Sequence, residues 1–283
     1  MKITVAHSPD SDDAFMHYAL AEHKIDARGF EFGHVLRDIQ TLNENARQGL
    51  FEVTAISTHA FAYVSDKYIL LPHGASMGEG MGEAGYGPMI VAREPLSTEQ
   101  VKLKAVAVPG LMTSAYLALK LWCPAIETVV MPFDEILPAV ERGEVEAGLL
   151  IHEGQLTFSD FGLHEVINLA RWWAQDTGGL PLPLGSNAIR RDLGPDVTRE
   201  VSAVLRESIA YALKHRDEAL TYALQFARGM EEKRQLADQF VGMYVNERTL
   251  DYGDDGRRAV EEFLGRAARA GLIPENVRVE FVS

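Results

Sequence analysis

KITVAHSPDSDDAFMHYALAE, residues 2–22, contains the unit from which the rest of the chain can be read. Lys2 to His7 alternates and is β-branched, so it reads as a strand, and SPDSDD from Ser8 to Asp13 breaks the alternation. From Ala14 to Glu22 the residues Phe15, Tyr18 and Ala19 fall at helical spacing. Strand, loop and helix then recur. Phe30 to Leu36 reads as a strand, Asp38 to Gln48 as a helix stopped by Gly49, Glu52 to Ile56 as a strand, and Ser57 to Val64 as a helix with Ser57 at its N-cap. Alternation of this kind predicts an α/β fold with a mostly parallel sheet covered on both faces.

Further along, six of the fourteen residues from Gly74 to Gly87 are glycine, which reads as a stretch too flexible to be an element, and Met89 to Arg93 follows as a strand. A second run succeeds it: strand Ala105 to Val108, helix Thr113 to Trp122, strand Thr128 to Met131, helix Asp134 to Glu141 and strand Ala147 to Ile151. GGLPLPLG from Gly178 to Gly185 cannot be helical because Pro181 and Pro183 lack donors, and NAIRR after it reads as a strand returning to the first lobe. Beyond Pro195 the segments Val197 to Lys214, Asp217 to Arg228, Glu231 to Tyr244 and Arg257 to Ala270 are amphipathic helices. The expected architecture is two α/β lobes with a cleft between them and crossings near residues 88–95 and 182–190. Lobe one is 1–90 plus 189–283, lobe two 91–188.

Composition narrows the class. The 283 residues, 47% of them hydrophobic, suffice for a real core, and at about 150 residues per domain they suggest two lobes. With 27 Lys and Arg against 41 Asp and Glu, the net charge of −14 repels a phosphate backbone, so nucleic acid is not the expected partner. A single cysteine, Cys123, forms no internal disulfide. The start, MKITVAHSPDSDD, has no apolar signal region, which leads to the expectation of a cytoplasmic protein. The longest uncharged stretch, Ala105 to Leu119, is interrupted by Pro109 and Gly110 and falls short of the roughly 18 apolar residues of a spanning helix.

In open α/β sheets, ligands lie beyond the carboxyl ends of strands, where loops enter helices. Four places qualify: Asp10, Ser11 and Asp13; Ser57 and Thr58; Met112, Thr113 and Ser114; His152 and Glu153. A helix start offers unpaired amides and about half a positive charge, so Ser57 and the Thr113/Ser114 pair are candidates to hold an anion from opposite lobes. Serving only as caps is the alternative at both. His152 ends a very apolar strand, where an imidazole meets the cleft as a candidate base, against the alternative of a core histidine bonded to a carbonyl. His7, His59 and His73 also lie near first-lobe loops, and Trp172 and Trp173 read as core with one ring open to lining the cleft.

Several matches are decoys. GMGEAG from Gly80 to Gly85 is followed by a strand where a dinucleotide loop needs a helix, and GASMG from Gly74 to Gly78 lacks the helix of a nucleophile elbow. HEGQL at His152 has Leu156 in place of a second histidine, so no metal site is expected; the SDD run from Ser11 to Asp13 reads as helix-start acid before it reads as a cation site.

The segments SPDSDDAFMHYAL, DIQTLN, VTAIS, GYGPMIVAR, VPGLMTSAY, GEVEAGLLIHEGQLTF and GLPLPLGSNAIRRDLG, in this order, resemble the 1,4-dihydroxy-6-naphthoate synthase family of the futalosine route to menaquinone. The likeness covers essentially the whole chain. It implies a two-lobed fold like that of type II periplasmic binding proteins. It also implies a cofactor-independent carbon–carbon lyase that converts cyclic dehypoxanthine futalosine, a small-molecule carboxylate, to 1,4-dihydroxy-6-naphthoate and a small sugar-derived fragment. The family's base maps onto His152, and its ligand-binding residues onto Ala55, Ile56 and Ser57 in one lobe and Thr113 and Ser114 in the other. The first loop departs from the family's usual SPCPND: only Ser8, Pro9 and Asp13 match, and Ser114 stands where a second Thr is common. Two other readings share the cleft: a non-catalytic small-carboxylate binding protein, and the chorismate dehydratase of the same pathway.

Overall fold

The computed structural model describes residues 1–82, 85–226 and 234–283. The chain begins with β1 (Lys2–His7), α1 (Ser11–Ala21), β2 (Glu31–Leu36), α2 (Ile39–Gln48), β3 (Val53–Ser57), α3 (Thr58–Phe61), β4 (Tyr68–Leu70) and β5 (Ser76–Gly78). It continues through β6 (Met89–Ala92), α4 (Thr98–Val101), β7 (Ala105–Val108), α5 (Ser114–Trp122), β8 (Glu127–Val130), α6 (Phe133–Glu141) and β9 (Ala147–Leu150). Next come α7 (Gly154–Thr157), β10 (His164–Asn168), α8 (Leu169–Thr177) and β11 (Leu182–Arg190). The last part is helical: α9 (Pro195–Lys214), α10 (Arg216–Ala223), α11 (Arg234–Tyr244), α12 (Glu247–Leu250) and α13 (Gly253–Arg269). The ends expected at Arg228 and Glu231 lie outside the described residues.

Local chemistry accounts for the boundaries. Asp38 accepts a hydrogen bond from the Thr41 amide to start α2, and Gly49, at a φ of 67°, ends it in the left-handed region. Asn168 likewise accepts from the amides of Ala170 and Arg171 to start α8. Pro195 opens α9, where a missing amide hydrogen costs nothing.

Two sheets organise the chain. The first has the order β2-β1-β3-β11-β4, with β5 also on β11; the second has the order β10-β6-β9-β7-β8. Each is parallel only in part: β1 pairs in parallel with β2 and β3, and β7 with β8 and β9, whereas β11 and β6 run antiparallel to all their partners. The expectation of a mostly parallel sheet is corrected here. A strand that arrives from the other lobe needs no helical crossover, so nothing obliges it to run parallel. The lobe boundary shifts for the same reason, since the division expected at 188/189 falls inside β11, whose partners β3, β4 and β5 are all in the first sheet.

The glycine-rich stretch is also corrected: its described residues include a strand, and at Gly78, Gly80 and Gly87 the missing side chain allows close approach. β5 pairs with β11, and Glu79 bridges Tyr86. A Cβ on Gly80 would lie 2.1 Å from the Ala170 carbonyl oxygen, and one on Gly78 2.9 Å from the Ala170 Cβ, so the start of α8 packs directly onto bare backbone. A continuous apolar core joins the lobes, and Ile56 and Phe61 share it with Leu117 of α5, Trp173 of α8 and Phe263 of α13. No helix among the described residues is long and apolar enough to cross a membrane.

Candidate active site

Strand ends of both sheets converge on one cleft of about 790 Å³, its open mouth included. Ala55, Ile56 and Ser57 border it from the end of β3, Thr113 and Ser114 from the start of α5, and His152 from two residues beyond β9. Positions that lie far apart in the sequence, on elements of both sheets, thus face a single space. The His152 side chain is 16% exposed, a partly open position rather than a core one. Its ring lies 4.0 Å, centroid to centroid, from that of Phe133 at the start of α6.

Hydroxyl roles differ from expectation. The helix expected from Ser57 to Val64 is the single turn α3, and Ser57 makes no capping bond to it. Its hydroxyl accepts instead from Asn43 Nδ2 at 3.0 Å, while its amide donates to Asn43 Oδ1 at 2.9 Å. Asn43 also reaches the Met112 carbonyl of the second lobe, at 3.4 Å. This asparagine lies within the DIQTLN segment but was not distinguishable as a site residue: a polar residue on an amphipathic helix reads as solvent-facing, and only the fold shows it fully buried.

Thr113 is a true cap, accepting from the Tyr116 amide at 3.2 Å and donating to the Gly110 carbonyl at 2.9 Å. Ser114 is committed across the lobes, since its hydroxyl donates to the Leu184 carbonyl at 2.5 Å and accepts from the His59 amide at 3.2 Å. Both hydroxyls are therefore occupied by protein partners. What α5 offers a ligand is its nine-residue helix start: Ser114 and Ala115 border the cleft, and the first amides of a helix have no intrahelical acceptor.

The other side of the cleft is acidic. Asp10, Asp12 and Asp13 border it, and Glu153 adjoins His152. Burial, with the negative charge of Asp10 second, pushes the Asp12 carboxyl up to about 7. Burial does the same to Glu153, again to about 7, with Asp10 the next cause. Burial and Asp12 push Asp13 well above the usual carboxylate range, although the Ser8 amide donates to it at 2.7 Å. These groups keep protons far closer to neutrality than ordinary carboxyls. Among the described residues, no group of three or more His, Cys, Asp or Glu is placed to hold a metal ion.

The remaining candidates lie elsewhere. His7 at the end of β1 packs against His17 of α1 and His34 of β2, His73 faces Ser202 at 3.0 Å, and His59 Nδ1 lies 3.2 Å from the Thr113 carbonyl oxygen; none borders the cleft. Trp173 is fully buried and Trp172 packs against the same core.

Two α/β lobes with two crossings and a ligand-sized cleft between them define a protein of the periplasmic-binding-protein-like class. The alkanesulfonate-binding protein SsuA of Xanthomonas axonopodis pv. citri superposes with a TM-score of 0.71 at 12% identity, covering 98% of this chain and 96% of that one. A crystal structure of a protein from Archaeoglobus fulgidus is far nearer in sequence, with a TM-score of 0.90, 47% identity and coverage of 96% and 98%. The profile of the family described as menaquinone biosynthesis matches residues 3–269. A 1,4-dihydroxy-6-naphthoate synthase of Thermus thermophilus is 39% identical over 280 residues, 99% of each chain. One of Streptomyces coelicolor is 37% identical over 279 residues, covering 96% of this chain and 95% of the relative. The chain belongs to the menaquinone biosynthesis family.

Proposed function

We propose that the protein is a 1,4-dihydroxy-6-naphthoate synthase, a carbon–carbon lyase acting on cyclic dehypoxanthine futalosine. The observation that carries the reading is the position of His152, a partly open imidazole on the same cleft as the start of α5, in a chain whose two curated relatives bear that name over nearly their full length. The substrate carboxylate lies at the α5 start, where amides and helix dipole favour an anion, with the Asn43-held Ser57 opposite. His152 takes a proton from the bound bicycle, the carbon–carbon bond to the sugar-derived part breaks with its electron pair leaving on that fragment, the fragment takes up a proton, and the ring system becomes aromatic. Aromatisation supplies the driving force, and the step needs no external oxidant or reductant. The protein contributes placement, exclusion of water and general-base catalysis.

Purified protein incubated with cyclic dehypoxanthine futalosine alone should release 1,4-dihydroxy-6-naphthoate. Substrate bound but unchanged would instead leave a small-carboxylate binding protein, and turnover of chorismate would make it the dehydratase.

The raised carboxyls give this reading a pH signature. Asp12 and Glu153 hold protons below about pH 7 and ionise above it, so each contributes negative charge to the acidic side of the cleft on the alkaline side only. KM for the anionic substrate should rise by about tenfold per pH unit above pH 7, if one of these protons must be retained for binding. A flat KM from pH 7 to 9 would show that the acidic wall does not sense the ligand.

A further inference from the structure

Beside His152 lies a carboxylate that neither the resemblance nor the names of the relatives assign. Asp10 Oδ2 is 3.6 Å from His152 Nδ1, with the two side chains only 14% and 16% exposed. Asp10 is itself held in place: Ser8 Oγ donates to the same Oδ2 at 2.5 Å and accepts from the Asp10 amide at 3.2 Å. The neighbouring carboxyls have other engagements, Asp13 with the Ser8 amide and Glu153 with Ser11 Oγ at 3.5 Å. The Phe133 ring also packs against the imidazole, at 4.0 Å between centroids. The ring thus has an aromatic neighbour and an anchored carboxylate neighbour, both of which restrain its orientation.

An Asp beside Nδ1 favours the tautomer that carries its hydrogen there, which makes Nε2 the basic nitrogen, and it stabilises the imidazolium formed when that nitrogen takes a proton. We infer that Asp10 is a positioning residue for His152, orienting the imidazole and favouring its protonated form during turnover. The inference rests on the proposed role of His152 as base. It gives a function to one of the three positions, Asp10, Ser11 and Asp12, at which the first loop departs from the family's usual pattern.

Other charges share the surroundings. From the loop and α1 come Asp12 and Asp13, and from the segment after β9 comes Glu153. On the outer side, Asp134 of α6 and Asp160 border a second cavity that His152 also faces, and Tyr244 of α11 borders the main cleft. All of them remain when Asp10 alone is changed, but the Asp10 charge also raises Asp12 and Glu153, so the His152 ring signals followed by NMR across pH assign the shift to the imidazole.

The test compares Asp10→Asn, Asp10→Cys and Asp10→Glu with the parent and with His152→Ala, measuring kcat and KM across pH on the natural substrate. Expected for the two neutral variants is a kcat lower by about 10- to 100-fold, KM within about threefold, and an acid limb of kcat moved about one unit to lower pH. Asp10→Glu, which keeps the charge, should hold that limb near the parent position. Two neutral variants with parental kcat and an unmoved limb overturn the inference, and so does a loss in all three variants without any movement of the limb, which would mark Asp10 as merely structural. Should Asp10→Asn fail to fold, Asp10→Cys gives the same reading. Undiminished turnover by His152→Ala overturns the role of His152 itself, an outcome separable from both.

Discussion

Replacing His152 by alanine leaves a folded protein that binds its substrate but turns it over about 10²- to 10⁴-fold more slowly. Folding survives because the side chain lies in a partly open position at a cleft wall and, among the described residues, belongs to no apolar core cluster. Binding survives because the proposed carboxylate site, at the start of α5 with Ser57 opposite, belongs to other elements. The loss falls on kcat, since a base acts in the transition state and contributes little to ground-state affinity. Single-turnover measurement of product with calorimetric titration of substrate separates the two quantities. Parental kcat in this variant removes the base from the mechanism; a collapse of affinity with unchanged kcat turns His152 into a binding residue.

The second large effect is on stability. Trp173→Ala should cost about 3–5 kcal/mol, a large share of the roughly 5–15 kcal/mol that holds a typical domain. Trp173 is fully buried, packs edge-on against Phe263 at 5.4 Å and 89°, and donates from Nε1 to the Pro181 carbonyl at 2.9 Å. The Arg266 guanidinium covers its ring at 5.1 Å. Truncation therefore leaves a cavity at the junction of α8, α13 and β11 together with an acceptor deprived of its donor. Trp173→Phe, which refills much of the space but not the hydrogen bond, should lose about 1–3 kcal/mol. Denaturant unfolding reads both as a lower midpoint. Equal and negligible shifts would mean that this junction collapses around the gap without penalty.

How far the sequence shows the fold depends on element length. β1, α2, β3, β7 and β9 are legible because alternation or helical spacing persists over enough residues and is closed by a recognisable cap or glycine. β4 and β5 are three residues each, too short for a period, and β5 lies inside the glycine run. There the glycines signal contact with Ala170, and residue type alone does not separate contact from flexibility. α8 did carry a usable sign, Asn168 at its cap, ahead of the two tryptophans.

In the site, the clustering of Ser57, Thr113, Ser114 and His152 on one cleft follows from the rule that ligands lie beyond strand ends, whereas Ala55 and Ile56, which border it too, come only from the family resemblance. What the hydroxyls do was not readable. Whether a serine caps its own helix, bonds an asparagine 14 residues away or bridges two lobes is set by tertiary packing, and Ser57 and Ser114 took the latter two routes. The carboxyl shifts were hidden for the same reason. Asp12 and Asp13 look like ordinary helix-start acid until α1 is seen buried along most of its length.

The insertion of β11 between β3 and β4 governs the order in which the polypeptide can assemble during synthesis. The first three strands leave the ribosome with β3 an unpaired edge, which only residues 182–190 can complete. Strands β6 to β10 are contiguous and need no later segment for their sheet, so the half made second can finish first. The opening residues of the chain, those that carry Ser8 and Asp10, must therefore wait for their final environment, and a chain stalled before residue 182 exposes a sticky β edge rather than an idle, half-built enzyme.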